Sequence, residues 1–189
     1  MNVTFHVVAA VGIAHVAAVR LEPSGQGWLP RARDLVVLGA AMLLGVLSHG
    51  ALDGLKHGYP IASGPDVLCA AVLLSGWCLA VQRRFVLLFA AVGLAALAPD
   101  ILDHGLQMAG LVTGAGMPTL FPWHWGDGSG SMYAMHARAP AATRILDLGQ
   151  NTIVSWTNHV IVLAFATAGV LFNPHVFGPE GVLSWKRRS

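Results

Sequence analysis

Five apolar runs, at 2–19, 35–55, 61–81, 85–102 and 152–172, decide what this chain can fold into. A hydrocarbon layer about 30 Å thick is crossed by roughly 20 apolar residues in helical form. Inside such a layer every backbone polar group must be satisfied within the structure, which a helix achieves by itself. Only 11% of the residues are charged and 55% are apolar, whereas soluble domains carry about a quarter charged residues. The 22 glycines agree with this, because glycine is commoner in transmembrane helices than in soluble ones. The expected fold is therefore all-α: a single polytopic helical membrane domain over 1–189, with about five transmembrane helices and a long outer loop at 103–151.

Local features qualify the runs. No basic residue precedes the first run, as one does in a cleaved signal peptide, so 2–19 is expected to be a retained span. Pro65 and Asp66 fit the first turn of the third helix. Pro99 predicts a kink or a break in the fourth. The stretch 106–121 is apolar but broken by Gly110, Gly114, Gly116 and Pro118, and it reads as an interfacial or re-entrant segment. Cys69 and Cys78 are nine apart, on opposite sides of a helix, and read as small core residues.

Five spans divide the connections between two faces. Arg20, Arg31, Arg33, Arg83, Arg84, Lys186, Arg187 and Arg188 share one face, eight of the eleven basic residues. The positive-inside rule makes that face cytoplasmic, which places the chain in the cell (inner) membrane with its N-terminus outside and its C-terminus in the cytoplasm. Asp53, Asp66, Asp100, Asp103, Asp127 and Asp147 lie on the other face, and so do seven of the nine histidines: His6, His49, His57, His104, His124, His136 and His159. His15 and His175 are the exceptions. A net charge of +2 without a basic stripe excludes nucleic acid as a partner. Membrane lipid is the partner the composition implies, and the sequence names no protein partner.

The outer face carries the chemistry. His49, Asp53 and His57 recur every four residues, so two or three of them share one helix face. Imidazole and carboxylate at that spacing suit a divalent metal; the alternative is a histidine bonded to a neighbouring helix beside a capping aspartate. Asp100, Asp103 and His104 share a face if the helix continues past Pro99; otherwise they form a helix stop and a solvated turn. Ionisable groups this close to apolar runs are costly unless partnered. His6, one turn inside the first span, can reach the same pocket or snorkel to the interface. His15 faces the opposite way and reads as a packing residue. In the fifth run Asn151, Thr152, Ser155, Asn158 and His159 form a polar stripe, with His159 a ligand, an outer-shell donor, a substrate contact or a packing residue.

These residues give an expected metal set of His6, His49, Asp53, Asp100, His104 and His159, with Asp103 as general base. Zn, Mn or Fe suits such mixed nitrogen and oxygen donors. The segment around Trp123, His124, Trp125 and Asp127 reads either as interfacial aromatics or as a lid, with His57, His124 and Asp127 on the substrate side. The function expected is a membrane-embedded, metal-dependent hydrolase acting on a lipid or lipid-linked phosphate ester at headgroup depth. Its rivals are a haem-binding electron-transfer protein with His49 and His159 as axial ligands, a metal or proton transporter, and a structural or assembly protein.

With those residues assembled, the chain resembles the membrane-bound metal-dependent hydrolases of bacteria often labelled LexA-binding inner-membrane hydrolases. That group has a histidine early in the first span, a Ser-His-x-x-x-Asp motif, and a Pro-Asp-x-Asp-His motif at a helix end. His6, Ser48 to Asp53 and Pro99 to His104 match in kind, over the four N-terminal spans. The Pro-Asp motif here has one extra residue between its acids, the group's His-Arg-Gly and His-Ser pairs are absent, and the motif order differs. The resemblance implies a metal-binding membrane protein with hydrolytic chemistry.

Overall fold

The computed structural model describes residues 3–21, 32–53, 63–113, 120–121 and 156–177, with the side chains at 63–64, 104–113 and 156–158 outside that description. Among the described residues the regular structure is helical and contains no strand. The helices are α1 (Val3–Ala18), α2 (Ala32–Asp53), α3 (Ser63–Ala80), α4 (Arg83–Thr113) and α5 (Trp156–Phe172), followed by a 3-10 turn at Pro174–Phe177. The all-α expectation is met.

Two helical stretches, Ala32–Asp53 and Arg83–Asp103, are long and apolar enough to cross a membrane; Val3–Ala18, Pro65–Ala80 and His159–Phe172 are shorter apolar helices. The fourth helix departs from expectation. It runs through Pro99 without a break and continues to Thr113, so 103–113, expected in a loop, is helical. Pro99 withholds one N–H, from the Ala95 carbonyl, and in an apolar bundle a single such loss is absorbed by neighbours.

Contacts fix the directions. Val3 and Thr4 meet Asp66 and His15 meets Trp77, so α1 and α3 are parallel. Phe5 lies against His159 and Gly12 faces Phe165, so α5 runs the same way. His6 meets Asp53, the last residue of α2, so α2 is antiparallel to α1; α4 follows α2, Gly45 facing Val92 and His49 facing Ala96. One end of the bundle therefore gathers the start of α1 with Asp53, Asp66, Asp100 and Asp103. The other end carries Arg20, Arg33, Arg83 and Arg84, with Asp34. These are called the polar end and the arginine end below.

Helix α1 is the centre. It packs against α2, α3, α4 and α5, and its buried positions include His6, Val7, Ala10, Val11, Ala14 and His15. A helix with four others packed around it must be apolar on nearly every face, and its alanines and Gly12 let neighbours come close. A Cβ at Gly12 would stand 2.5 Å from the Phe165 ring, well inside van der Waals contact. Against α4, the core is built on Phe85, Leu88, Phe89, Val92 and Ala96.

The outer surface inverts the pattern of a soluble bundle. Along α2 the buried residues are Ala41, Gly45, His49 and Asp53, one narrow stripe, while Leu35, Leu43, Leu44 and Leu47 are exposed. Val36 is 71% exposed, Leu171 71% and Phe172 83%. Apolar exposure on this scale marks a surface made for something other than water. Cys69, expected in the core, is exposed and Cys78 half-buried: the outward face of α3 is apolar too, so hydrophobicity does not separate inside from outside.

The arginine end is closed by the turn between α3 and α4. The Gln82 amide donates to the Val176 carbonyl at 2.9 Å, and its side-chain nitrogen donates to the His175 carbonyl. Val176 is fully buried, so the 3-10 turn after α5 plugs this end.

Candidate metal centre

The centre is assembled from three helices. Gly45 begins it: a Cβ there would lie 3.0 Å from the Val92 carbonyl oxygen and 3.4 Å from the Ala96 nitrogen. Only the missing side chain lets α2 lie that close to α4. One turn on, His49 is fully buried, and its Nδ1 lies 2.6 Å from the Ala96 carbonyl oxygen. A carbonyl can only accept, so Nδ1 carries the hydrogen and donates. That carbonyl stands next to Ala95, where Pro99 interrupts the helical ladder.

Fixing Nδ1 determines what Nε2 can do. Nε2 lies 3.1 Å from Asp53 Oδ2 and 3.4 Å from Asp100 Oδ1. With Nδ1 so committed, Nε2 faces the two carboxylates in one of two ways: as the second N–H of an imidazolium that donates to them, or as a lone pair with a metal ion standing between. His6 enters from α1: its ring stacks on His49 with centroids 3.9 Å apart and planes 12° from parallel, and its Nε2 is 3.3 Å from Asp53 Oδ1. Ligand atoms of His6, His49 and Asp53 all lie within 4.8 Å of one another. Donors about 2.0–2.2 Å from one tetrahedral ion are about 3.4 Å from each other; the nitrogen-to-oxygen separations here are 3.1, 3.3 and 3.4 Å. The donor set thus has the chemistry and the spacing for one divalent cation. All four residues are buried, in a place where unpartnered charge is expensive.

Two further carboxylates frame the cluster. Asp66, buried at the start of α3, accepts from the Val3 amide at 2.6 Å, the Thr4 amide at 3.3 Å and the Thr4 hydroxyl at 2.7 Å. It thereby caps α1 from a different helix, satisfying N–H groups that a helix start leaves over. Asp103, one turn past Asp100, accepts from the amides of Leu120 at 2.7 Å and Phe121 at 3.3 Å. It ties the chain beyond α4 back to the polar end.

Of the residues singled out from sequence, the structure brings His6, His49, Asp53 and Asp100 together. His159 is buried at the start of α5 and meets the Phe5 ring edge-on, centroids 4.2 Å apart. His104 stands on α4 one turn after Asp100, the continuous helix meeting the condition set by Pro99; its side chain lies outside the described residues. So do His57, His124 and Asp127, His136, and the side chains of the polar stripe before His159. Sequence reading missed Asp66 and the Ala96 carbonyl: Pro65-Asp66 signals a helix start, but not that the carboxylate serves another helix. His15 packs as expected, receiving the Trp77 indole N–H at Nε2 over 3.2 Å, with the Phe89 and Phe177 rings around it.

Comparison with protein-family models, with curated proteins and with solved structures finds no match.

Proposed function

We propose that this chain is a membrane-embedded, metal-dependent hydrolase whose divalent ion, Zn, Mn or Fe, is held at the polar end by His6, His49, Asp53 and Asp100. The observation that carries the reading is the commitment of His49 Nδ1 to the Ala96 carbonyl, which turns Nε2 toward two carboxylates. Histidine ligands are held in this way in metal sites generally, the second nitrogen donating to a carbonyl or carboxylate. The membrane setting is supported by the two long apolar helices and by the exposed apolar surface around the bundle. All five helices then span, and the arginine end faces the cytoplasm, which sets the centre at the outer face.

A bound divalent ion supplies a water acidic enough to act near neutral pH and polarises a phosphoryl or carbonyl oxygen. The residues of the chain do the rest. His6 and His49 hold position by stacking, Asp53 bridges toward both imidazoles, and Asp100, which would bind through the Oδ1 that faces His49, is assigned to take a proton at Oδ2. Asp103 was the expectation for that role, but its oxygens receive the amides of Leu120 and Phe121, and we assign it to anchoring. Ile101, Leu102 and Val160, beside the site residues in sequence, are exposed and apolar. A substrate approaching over them is a lipid or lipid-linked phosphate ester. The distant resemblance to membrane-bound hydrolases points the same way. A haem between His49 and His159 fits less well, since His49 Nε2 is already turned to carboxylates.

The test is metal analysis of detergent-purified protein, wild type beside His49→Ala and Asp100→Ala, with release of phosphate or acid from lipid esters assayed on the same samples. One ion per chain in the wild type, lost in both variants together with hydrolysis, is the expected result. Unchanged metal in both variants, or a strong Soret band in the wild type, overturns the reading.

A further inference from the structure

We infer that Asp66 is a positioning residue for the metal centre, acting through His6. The inference rests on the metal reading for its consequence, but its geometry stands apart from it. His6 is the one ligand carried by α1, and it sits near that helix's beginning, where the first N–H groups have no partner within the helix and the end tends to fray. Asp66 removes that freedom. Its carboxylate accepts from the Val3 amide, the Thr4 amide and the Thr4 hydroxyl, and the Thr4 hydroxyl also lies 3.1 Å from the Asp66 carbonyl oxygen. The first turn of α1 is thus held at Val3 and at both the backbone and the side chain of Thr4, two residues before His6. Asp66 is 1% exposed, so water does not compete for these bonds. Its negative charge also lies at the positive end of the α1 dipole.

The stacked pair of His6 and His49 needs this hold. Parallel rings at 3.9 Å and a His6 Nε2 at 3.3 Å from Asp53 leave room for only small movements of the first turn of α1. His49 is placed independently, by Gly45 and the Ala96 carbonyl. Loss of Asp66 is therefore expected to release one ligand and spare the other three. Its role parallels that of outer-shell groups whose loss typically weakens metal binding by roughly 10–100-fold.

The experiment uses full-length protein in detergent with histidine rings isotopically labelled. In metal-free protein, Asp66→Ala is expected to move the ring resonances of His6 and His49, identified by their loss in His6→Ala and His49→Ala. Those of His15, enclosed at the arginine end, stay in place and report that the bundle is folded. Zinc titration of the same proteins is expected to show a roughly 10–100-fold weaker affinity in Asp66→Ala. In a His6→Ala background the further change to Asp66→Ala should cost nothing more, because the two act as one. Unmoved His6 and His49 resonances, or an equal loss with and without His6, overturn the inference. If Asp66→Ala does not fold, Asp66→Asn and Thr4→Val each remove part of the hold and must shift the His6 resonance partway; no shift is again a refutation. Failure of the wild type to bind zinc, manganese or iron would sink the proposed function, while the metal-free spectra would still decide the role of Asp66.

Discussion

His49 and His15 are each shut away from solvent in this bundle, on α2 at the polar end and on α1 at the arginine end. At His49 one nitrogen gives its hydrogen to a backbone carbonyl and the other faces two carboxylates, with a second imidazole stacked alongside. At His15 one nitrogen accepts from an indole N–H, Nδ1 has no hydrogen-bond partner among the described residues, and the ring neighbours are Trp77, Phe89 and Phe177. Burial is the same in both places, so burial does not mark a ligand. What marks one is where the second nitrogen is aimed once the first is committed. His49 Nε2 needs positive charge where it meets the carboxylates, its own proton or a metal ion; His15 accepts the indole N–H and otherwise fills space between aromatic rings.

The strongest way to break this contrast is to remove each histidine in turn. His49→Ala is expected to abolish bound metal. It also leaves Asp53 and Asp100 close together without their imidazole, which in metal-free protein is expected to cost about 3–5 kcal/mol, as for a broken buried ion pair. His15→Phe is expected to keep metal at one per chain. Metal analysis with thermal unfolding in detergent measures both, and equal metal loss in the two variants would erase the distinction between the ends.

Metal removal sharpens the same contrast without mutation. An ion at 100 times its dissociation constant stabilises the folded protein by about 2.7 kcal/mol. A chelator should therefore lower the unfolding temperature of the wild type and of His15→Phe by the same amount. It should leave His49→Ala unmoved. A chelator-sensitive His49→Ala protein would place the ion elsewhere.

Much of this was legible in the sequence, for identifiable reasons. Long apolar runs fix helices because backbone groups in an apolar setting have no other partner, and four-residue spacing on a helix brings His49 over Asp53 whatever surrounds them. Pro99 reads as a kink or a break, and of these the break does not occur: the helix runs on, because one missing N–H is tolerable where packing holds both sides. The inside of the bundle was not legible: with apolar residues on every face, Cys69 and Leu43 look as core-like as Ala41 and are exposed. Nor was the service of Asp66 to α1 visible, since which helix lies against which is decided by packing and not by local pattern.

Two glycines of α2 test how the centre is placed. A Cβ at Gly45 would lie 3.0 Å from the Val92 carbonyl, which belongs to rigid helix backbone, whereas a Cβ at Gly39 meets nothing within 4 Å. Gly45→Ala is expected to push α2 away from α4 at a cost of about 1–3 kcal/mol, typical of an overpacked contact. It should also weaken metal binding by loosening the His49 bond to Ala96. Gly39→Ala should instead stabilise the helix by roughly 0.5–1 kcal/mol and leave the metal untouched. The pair is read by unfolding temperature and zinc affinity, and indifference of the affinity to Gly45→Ala would mean that close approach is not what positions His49.

The smallest effect is expected where the arginine end is tied. Gln82 holds the 3-10 turn through its side chain as well as its amide, much as Asp66 holds the start of α1 at the polar end. The two ties differ in setting: the Asp66 carboxylate is buried and charged, while the Gln82 side-chain bond is solvent-exposed and neutral. Water replaces a lost bond at an exposed site, so Gln82→Ala should cost only about 0.5–1.5 kcal/mol, and the main-chain bond to Val176 remains. Its zinc affinity should equal that of the wild type. A fall in affinity on Gln82→Ala would show that the ends are coupled through α1, and His15 would then belong to the machinery that places His6.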